Sequence, residues 1–430
     1  MGNVVEDIKK DYGSPRWTNE VLDCSMPMTF DTYSKCSYNC QYCFSYFQKL
    51  HTLGGYIGSA PRCVNAEKII TMFDNILNGT FDKLSKSQMQ FSNYVRDRRI
   101  MQWGGLADEF DEFERKYGVT LELLRYFDKI DYPLSFSTKA VWFTEDSRYM
   151  DLFRKHTHNW HVKVSIITND DAKSRKMEKG CPSSSERLKA IKNLSDLGLH
   201  VTLRLRPYII GLSDDFRSLI LRAHEAGADS VTTEFFCMES RADERLLARY
   251  KEMSRIVGFD IYEFYQEHSV QHGYKRLNKK IKRPIIERMK NCAHDLGMRF
   301  HVSDMYCREC NDAMNCCGVP PEWENSYKGH FGKAILIAKE KGYVTFADIS
   351  DDINRYLGNF LYNAAAGFNQ QNSANRAKYF GFMMNDYVRS CWNDIKKANS
   401  PAQGYGGVLV PDGKDDNGDI IYKYRGEKNC

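Results

Sequence analysis

Short runs of apolar and β-branched residues alternate along the chain with longer stretches in which apolar residues recur every three to four positions. The short runs at 28–33, 99–103, 133–138, 162–168, 201–206 and 230–235 predict strands. Each is rich in Val, Ile, Thr or aromatics and is bounded by polar or Gly-containing turns. Helical spacing at 66–77, 121–130, 145–156, 186–197 and 216–226 predicts the helices between or after them, with a last one at 285–296. The clearest helix puts Leu188, Ile191, Leu194 and Leu197 on one face, behind Ser183, Ser184 and Ser185, whose hydroxyls suit a helix start.

Strand and helix alternating six times over predict an α/β protein with a parallel sheet. Six units are too few for the closed eight-unit barrel. The expected fold is therefore a partial (β/α)6 TIM-like barrel, open on one side to a large substrate, with a doubly wound open sheet as the competing arrangement. After about residue 300 the pattern breaks into a Cys-rich segment, a helical stretch near 346–397 and a Gly- and Asp-rich tail from Pro401. The expected division is a barrel over 1–300 and a C-terminal Cys-rich extension over 301–430, a candidate auxiliary-cluster domain.

With 430 residues, 42% of them hydrophobic, the chain can bury a large core. No stretch reaches the roughly 18 to 20 uninterrupted apolar residues of a membrane helix, and the first seventeen residues lack an apolar secretory core. A soluble, cytoplasmic protein without membrane association is expected. Sixty-one Lys and Arg against 56 Asp and Glu leave a net charge of +5, which is only mildly basic. Lys275, Arg276, Lys279, Lys280, Lys282 and Arg283 crowd into nine positions, a density that fits either a phosphate footprint or a solvated helix face.

The fourteen cysteines cluster in two places and scatter elsewhere, unlike the framework of a disulfide-rich secreted domain. In DTYSKCSYNCQYCFSYF, Cys36, Cys40 and Cys43 are spaced C-x3-C-x2-C directly after the first strand, where a barrel carries functional loops. Four thiolates fill the coordination of an iron–sulfur cube. Three leave one iron open to the amino and carboxylate groups of S-adenosylmethionine (SAM). Zinc with a distant fourth ligand is the other chemistry these thiols allow. The spacing, with the aromatic Tyr42 before the third Cys, resembles the signature of the radical SAM superfamily.

From Trp103 to Asp215 the chain resembles the branch of that superfamily containing spore photoproduct lyase, often labelled DNA repair photolyases. In GGLADEFDEFERKYGVTLELLRYF the resemblance implies that Gly104 and Gly105 let the backbone approach the SAM amino group. In SFSTKA it implies that Lys139 is a cation near the SAM carboxylate, and in VSIITNDDA that Ser165 is a polar contact to SAM. The longest likeness, from Cys181 to Asp215, carries Arg204 and Arg206 on one face of the fifth strand and Gly211 in a loop passing the adenine. Those arginines need anions, which either the SAM carboxylate or Glu234 supplies. The likeness has departures. Ala107, Asp108 and Glu109 stand where the family has Thr-Asp-Pro. Phe44 replaces the lyases' tyrosine after the third cluster Cys, and residues 102–105 lack their hydrogen-donating cysteine. Repair of the thymine dimer by that relay is disfavoured, and the same radical is expected to serve a different task.

The second cluster, MYCRECNDAMNCCGVPPEW, holds Cys307, Cys310, Cys316 and Cys317, with Cys292 upstream. Its first spacings resemble part of the auxiliary-cluster motif of radical SAM maturases, although Pro320 stands where a further Cys is usual. An auxiliary iron–sulfur cluster is expected, with structural zinc as the alternative. Cys430 sits at the chain end, and the spacing of Cys24, Cys63, Cys181, Cys237 and Cys391 argues for packing alone.

The expected activity is that of a radical SAM enzyme, a lyase or oxidoreductase. It would reductively cleave SAM at a [4Fe–4S] cluster to a 5′-deoxyadenosyl radical and abstract hydrogen from a substrate. A nucleic-acid base, in DNA or RNA modification or repair, is the first expectation, and a peptide or small metabolite the second. A non-catalytic, zinc-stabilised nucleic-acid-binding protein is the third. A flavodoxin, ferredoxin or reductase is the expected electron donor, and no side chain is singled out as catalytic.

Overall fold

All six runs read as strands are strands in the computed structural model, which describes residues 8–13, 15–18, 20–46, 59–239, 242–270, 274–323, 325–358 and 383–426. They are β2 (Met28–Phe30), β3 (Met101–Trp103), β4 (Leu134–Thr138), β5 (Trp160–Ser165), β6 (His200–Tyr208) and β7 (Ser230–Phe235). Two further strands, β1 (Arg16–Trp17) and β8 (Arg299–Val302), complete an eight-stranded sheet whose spatial order is the chain order, β1 to β8. β4, β5, β6 and β7 pair in parallel, and β1 pairs antiparallel with β2.

That order decides between the two arrangements left open by the sequence. A doubly wound sheet reverses its strand order at a switch point, whereas strands laid down sequentially are what successive same-handed β/α crossovers produce. The sheet has β1 and β8 as its edges, consistent with a partial TIM-like barrel and not with a closed one.

The helices follow the expected spacing: α1 (Ala66–Leu77), α2 (Val119–Lys129), α3 (Ser147–Lys155), α4 (Ser184–Ser195), α5 (Phe216–Glu225) and α6 (Lys279–Asp295). At the start of α4 the Ser183 hydroxyl accepts from the Glu186 N–H while the Glu186 carboxylate accepts from the Ser183 N–H, a reciprocal capping box. α6 begins six residues earlier than its apolar spacing suggests, because the Asn278 side chain caps it by accepting from Ile281 N. Pro284 consequently lies inside the helix. A short helix at Asp171–Met177 has no apolar face in sequence and is capped by Asp170.

The sheet buries Val162, Val164, Leu203, Leu205 and Val231, and Trp103 meets Phe30 and Phe127 edge-on while stacking on Phe136. β5 is buried at every position, His161 and Lys163 included. Lys163 Nζ donates to Ser135 Oγ at 2.6 Å, and the His161 ring bonds Ser135 Oγ and Thr202 Oγ1 at 3.0 and 2.7 Å, so these polar groups are satisfied within the sheet.

The chain forms two compact units, neither continuous in sequence. One comprises Met1–Ser14, Phe30–Ile70 and Trp103–Phe300; the other comprises Pro15–Thr29, Thr71–Gln102 and His301–Cys430. In the second unit the antiparallel strands Tyr343–Val344, Ile420–Tyr424 and Leu409–Lys414 form a small sheet. The helices Phe331–Lys341 and Met384–Asn393 belong to the same unit, and Trp392 of the latter donates to Ile420 O at 2.7 Å. The helical stretch expected near 346–397 contains Ala347–Asp352 and Met384–Asn393. Positions 359–382 lie outside the described residues, as does Cys430. No helix among the described residues is long and apolar enough to cross a membrane.

Candidate active site

The loop that carries Cys36, Cys40 and Cys43 leaves the carboxyl end of β2 and is held by its backbone on several sides. Asn39 and Cys40 form a short antiparallel ladder with Lys179 and Glu178, and Gln41 N donates to Met177 O at 2.9 Å. Arg249 donates to Cys40 O and Asn39 Oδ1 at 2.7 and 2.6 Å, and Ser37 N donates to Asp111. Cys40 is buried, whereas Cys36 and Cys43 are half-buried, so the triplet is reachable from one side. Phe44, next to Cys43, is exposed.

Beneath the loop lies a buried charge network that no spacing announces. Glu178 and Arg187 form an ion pair with neither side chain exposed. Arg187 also donates to Ser165 O, Ser174 Oγ and Pro182 O at 2.6, 2.8 and 3.0 Å, so its guanidinium is well saturated. Tyr42 donates its hydroxyl to Glu178, and the Lys139 ammonium stands 5.8 Å from the Tyr42 ring centroid. Cys181 Sγ lies 3.7 Å from Cys40 Sγ. A hydrogen bond from Cys181 lowers the pKa of Cys40 against the effect of burial, and Lys139 assists. Burial pushes the Cys43 thiol the other way. Burial opposes ionisation of Glu178 as well, but Arg187 and Lys139 outweigh it and hold the carboxyl below its ordinary range.

The remaining expected site residues fall at the same ends of the strands. Gly104 follows β3, Lys139 follows β4, Ser165 ends β5, and Arg204 and Arg206 occupy the later half of β6. Gly104 has φ +87° and donates to Phe30 O at 3.0 Å. A Cβ there would stand 2.6 Å from Ser137 O, so only glycine fits. Gly104→Ala is therefore expected to cost about 1–3 kcal/mol of stability, read as a lowered midpoint in thermal unfolding. Gly105 lies beside it in the same half-buried turn.

Asp108 holds the turn after β4. It accepts from Thr138 Oγ1 and Lys139 N at 2.7 and 2.6 Å. Asp31 accepts from Leu106 N and Ala107 N at 2.7 and 3.1 Å, fixing the Gly104 loop from the other side.

Arg204 donates to Ser165 Oγ at 3.2 Å, its register partner across β5 and β6, whereas Arg206 forms an ion pair with Glu234. For Arg206 the anion thus comes from the chain.

The basic run does not present one cationic stripe. Lys282 is buried, Arg283 pairs with Glu287 at 2.7 Å, and Lys275 lies over the Tyr262 ring. The helical period of α6 places Lys282 on the face that carries Ile286 and Met289.

In the second unit, Cys307 and Cys310 lie in the turn Met305–Cys310, capped by Asp304. Cys307, Cys310 and Cys316 are buried, Cys317 is half-buried, and the Cys316 and Cys317 sulfurs are 3.8 Å apart. Asn315 Oδ1 accepts from Cys317 N and Val319 N, both at 3.1 Å, and folds this stretch on itself. Cys292 is in α6, within the first unit. None of the described cysteines forms a disulfide. Among the described residues, the set of three His, Cys, Asp or Glu whose ligand atoms all lie within 4.8 Å of one another is Asp131, His156 and His158, just ahead of β4 and β5.

No protein-family profile matches the chain. Uncharacterized proteins of Mycobacterium tuberculosis and Mycobacterium bovis are 23% identical to it over 245 residues, covering 53% of this chain and 67% of theirs. Among solved structures, a spore photoproduct lyase mutant is similar at 14% identity and a TM-score of 0.48, covering 68% of this chain and 80% of the lyase. A second mutant of that lyase, with bound AdoMet and dinucleoside spore photoproduct, covers 65% of this chain and 77% of its own at 14% identity and a TM-score of 0.45. SuiB of Streptococcus suis, bound to the precursor peptide SuiA, covers 54% of this chain and 47% of its own at a TM-score of 0.34.

Proposed function

We propose that this chain is a radical SAM enzyme in which Cys36, Cys40 and Cys43 hold a [4Fe–4S] cluster. The observation that carries this reading is the clamped triplet at the carboxyl end of an open, mostly parallel sheet, with two thiols half-buried and Lys139 beside the third. Three thiolates and no fourth in the motif fit a cube that keeps one iron open. Such a cluster, once reduced, supplies electron transfer into SAM and release of a 5′-deoxyadenosyl radical.

The chain's own residues bind and aim. Lys139 balances thiolate charge at Cys40, and Tyr42 is anchored from below by Glu178 and Arg187. Gly104 gives the backbone close access where the SAM amino group would lie. Arg204, half-buried beside Ser165, is a cation for the SAM carboxylate, and Arg206 pairs with Glu234. Cys307, Cys310, Cys316 and Cys317 would hold an auxiliary iron–sulfur cluster, or zinc in the same thiolates. A flavodoxin, ferredoxin or reductase supplies the electron.

For the substrate we retain a nucleic-acid base as first reading, supported by the likeness of 103–215 to the photolyase branch. The burial of Lys282 and the pairing of Arg283 with Glu287 take these two cations out of a phosphate footprint. A peptide or small metabolite is the second reading, supported by the partial likeness of the second Cys motif to radical SAM maturases. Anaerobic enzyme with SAM, dithionite and either ring-deuterated oligonucleotides or deuterated peptides separates them. Deuterium in 5′-deoxyadenosine with oligonucleotides alone, together with binding that weakens steeply with salt, is the expected result. Deuterium arriving only from peptides would move the assignment to the second reading.

A further inference from the structure

We propose that Cys24 is a ligand of the second metal centre, joining the thiols of 307–317 from the opposite end of the chain. The inference rests on the reading that this cluster binds metal, and it names a ligand that the spacing could not show.

Placement comes first. Cys24 belongs to the segment Pro15–Thr29, which is part of the unit that contains 307–317. It is pinned on both flanks: Leu22 O accepts from Phe331 N at 2.8 Å, and Ser25 O accepts from Tyr327 N at 2.9 Å. The preceding residue, Asp23, accepts from Arg308 Nε at 2.6 Å, and Arg308 stands between Cys307 and Cys310 in the chain. The same guanidinium hydrogen-bonds the Cys316 side chain. Cys24 and Cys317 pack against one apolar group, Met26, Ile100 and Val319. Cys24 is thus held against the same apolar group as Cys317, one residue from the carboxylate that Arg308 engages, and Cys316 acts on it electrostatically.

A second observation in the same unit concerns a buried donor. His330 is fully buried and caps the helix Phe331–Lys341 by accepting from Lys333 N at Nδ1. Its proton in the neutral ring is therefore on Nε2, and Nε2 has no hydrogen-bond partner. A buried N–H without an acceptor is destabilising. Burial, and next to it Arg308, keep this ring neutral. A metal-bound thiolate or cluster sulfide within reach of Nε2 would supply that acceptor, and such hydrogen bonds tune cluster potentials.

Ligand counting agrees. The maturase-like motif lacks its further cysteine, Pro320 standing in that place, and two of the four remaining thiols are chain neighbours. With Cys24 present, four thiolates can surround one centre without both Cys316 and Cys317 turning inward.

The test uses the full chain carrying Cys36→Ala, Cys40→Ala and Cys43→Ala, so that only the second centre binds metal, and compares it with and without Cys24→Ser after anaerobic supply of iron and sulfide or of zinc. The expected result is loss of metal to a chelator at least about tenfold faster in the Cys24→Ser protein, with a changed electron paramagnetic resonance spectrum if the metal is iron. Unchanged metal content, chelator kinetics and spectrum would overturn the proposal. If the triple variant with Cys24 intact holds neither iron nor zinc, the second centre itself falls, and the Cys24 assignment falls with it. Alkylation of the unsubstituted protein needs no variant to fold. Cys24 is expected to resist iodoacetamide with metal bound and to react after its removal, while Cys237, half-buried in the other unit, reacts alike in both states. Equal labelling of Cys24 before and after metal removal also overturns the assignment.

Discussion

Replacing Cys36 or Cys43 by alanine is expected to remove iron from the first unit and to lower 5′-deoxyadenosine formation to the level of dithionite alone. Each thiolate holds one iron of a cube already short of a fourth protein ligand, so losing another leaves two anchors. The three substitutions are not equivalent. Cys181 Sγ lies 3.7 Å from Cys40 Sγ, just beyond the segment Glu178–Lys179 that pairs with Asn39 and Cys40. Cys40→Ala should therefore retain the most iron of the three, and adding Cys181→Ala should abolish the remainder. Iron and sulfide analysis of the four proteins, with deoxyadenosine measured by mass spectrometry, checks both statements. Equal iron in Cys36→Ala and the unsubstituted chain would refute the ligand assignment.

The second large effect is on stability. Arg187→Met leaves Glu178 buried without its main partner, and breaking a buried pair from one side costs about 3–5 kcal/mol. For a unit of this size that lowers the melting temperature by on the order of 10 °C. Replacing both, as Glu178→Gln with Arg187→Met, should recover part of the loss, since the glutamine oxygen still accepts from Tyr42.

The pH dependence has a definite sign. In the unsubstituted chain the Glu178 carboxyl is held below its ordinary value by Arg187 and Lys139 despite burial. Its contribution is present above the unfolded value of about 4.3 and is lost as pH falls through the lower, folded value. In Arg187→Met burial dominates and raises the folded value, so the stability deficit should be larger at pH 8 than at pH 5. Calorimetry at those two pH values reads the difference directly, and a deficit independent of pH would show that the pair is not the cause.

Much of this architecture is legible in the sequence because periodicity reports burial. The run Ser230–Phe235 and the helix Ala66–Leu77 have the bounds their patterns imply, and the Cys triplet sits where a strand-end loop should be. The failures have a common origin in long-range pairing. A count of charges at 275–283 cannot tell that α6 starts at Lys279 and turns Lys282 inward. Nothing local marks Glu178 and Arg187 as partners, because their pairing depends on a ladder between Cys40 and Glu178 made by segments far apart in sequence. Cys24 and Cys181 read as scattered thiols for the same reason, each being brought to a cluster by a contact that no spacing encodes. Arg206 and Glu234 are the intermediate case. Parallel pairing of β6 with β7 places Leu205 beside Thr233, so their successors meet once the strand order is known.

The central claim is tested most directly by reconstituting the full chain anaerobically with iron and sulfide, adding SAM and dithionite, and measuring products by mass spectrometry. A brown protein that yields 5′-deoxyadenosine and methionine in equal amounts, an activity absent from Cys43→Ala, is the predicted result. A colourless, zinc-loaded protein that leaves SAM intact would contradict the account.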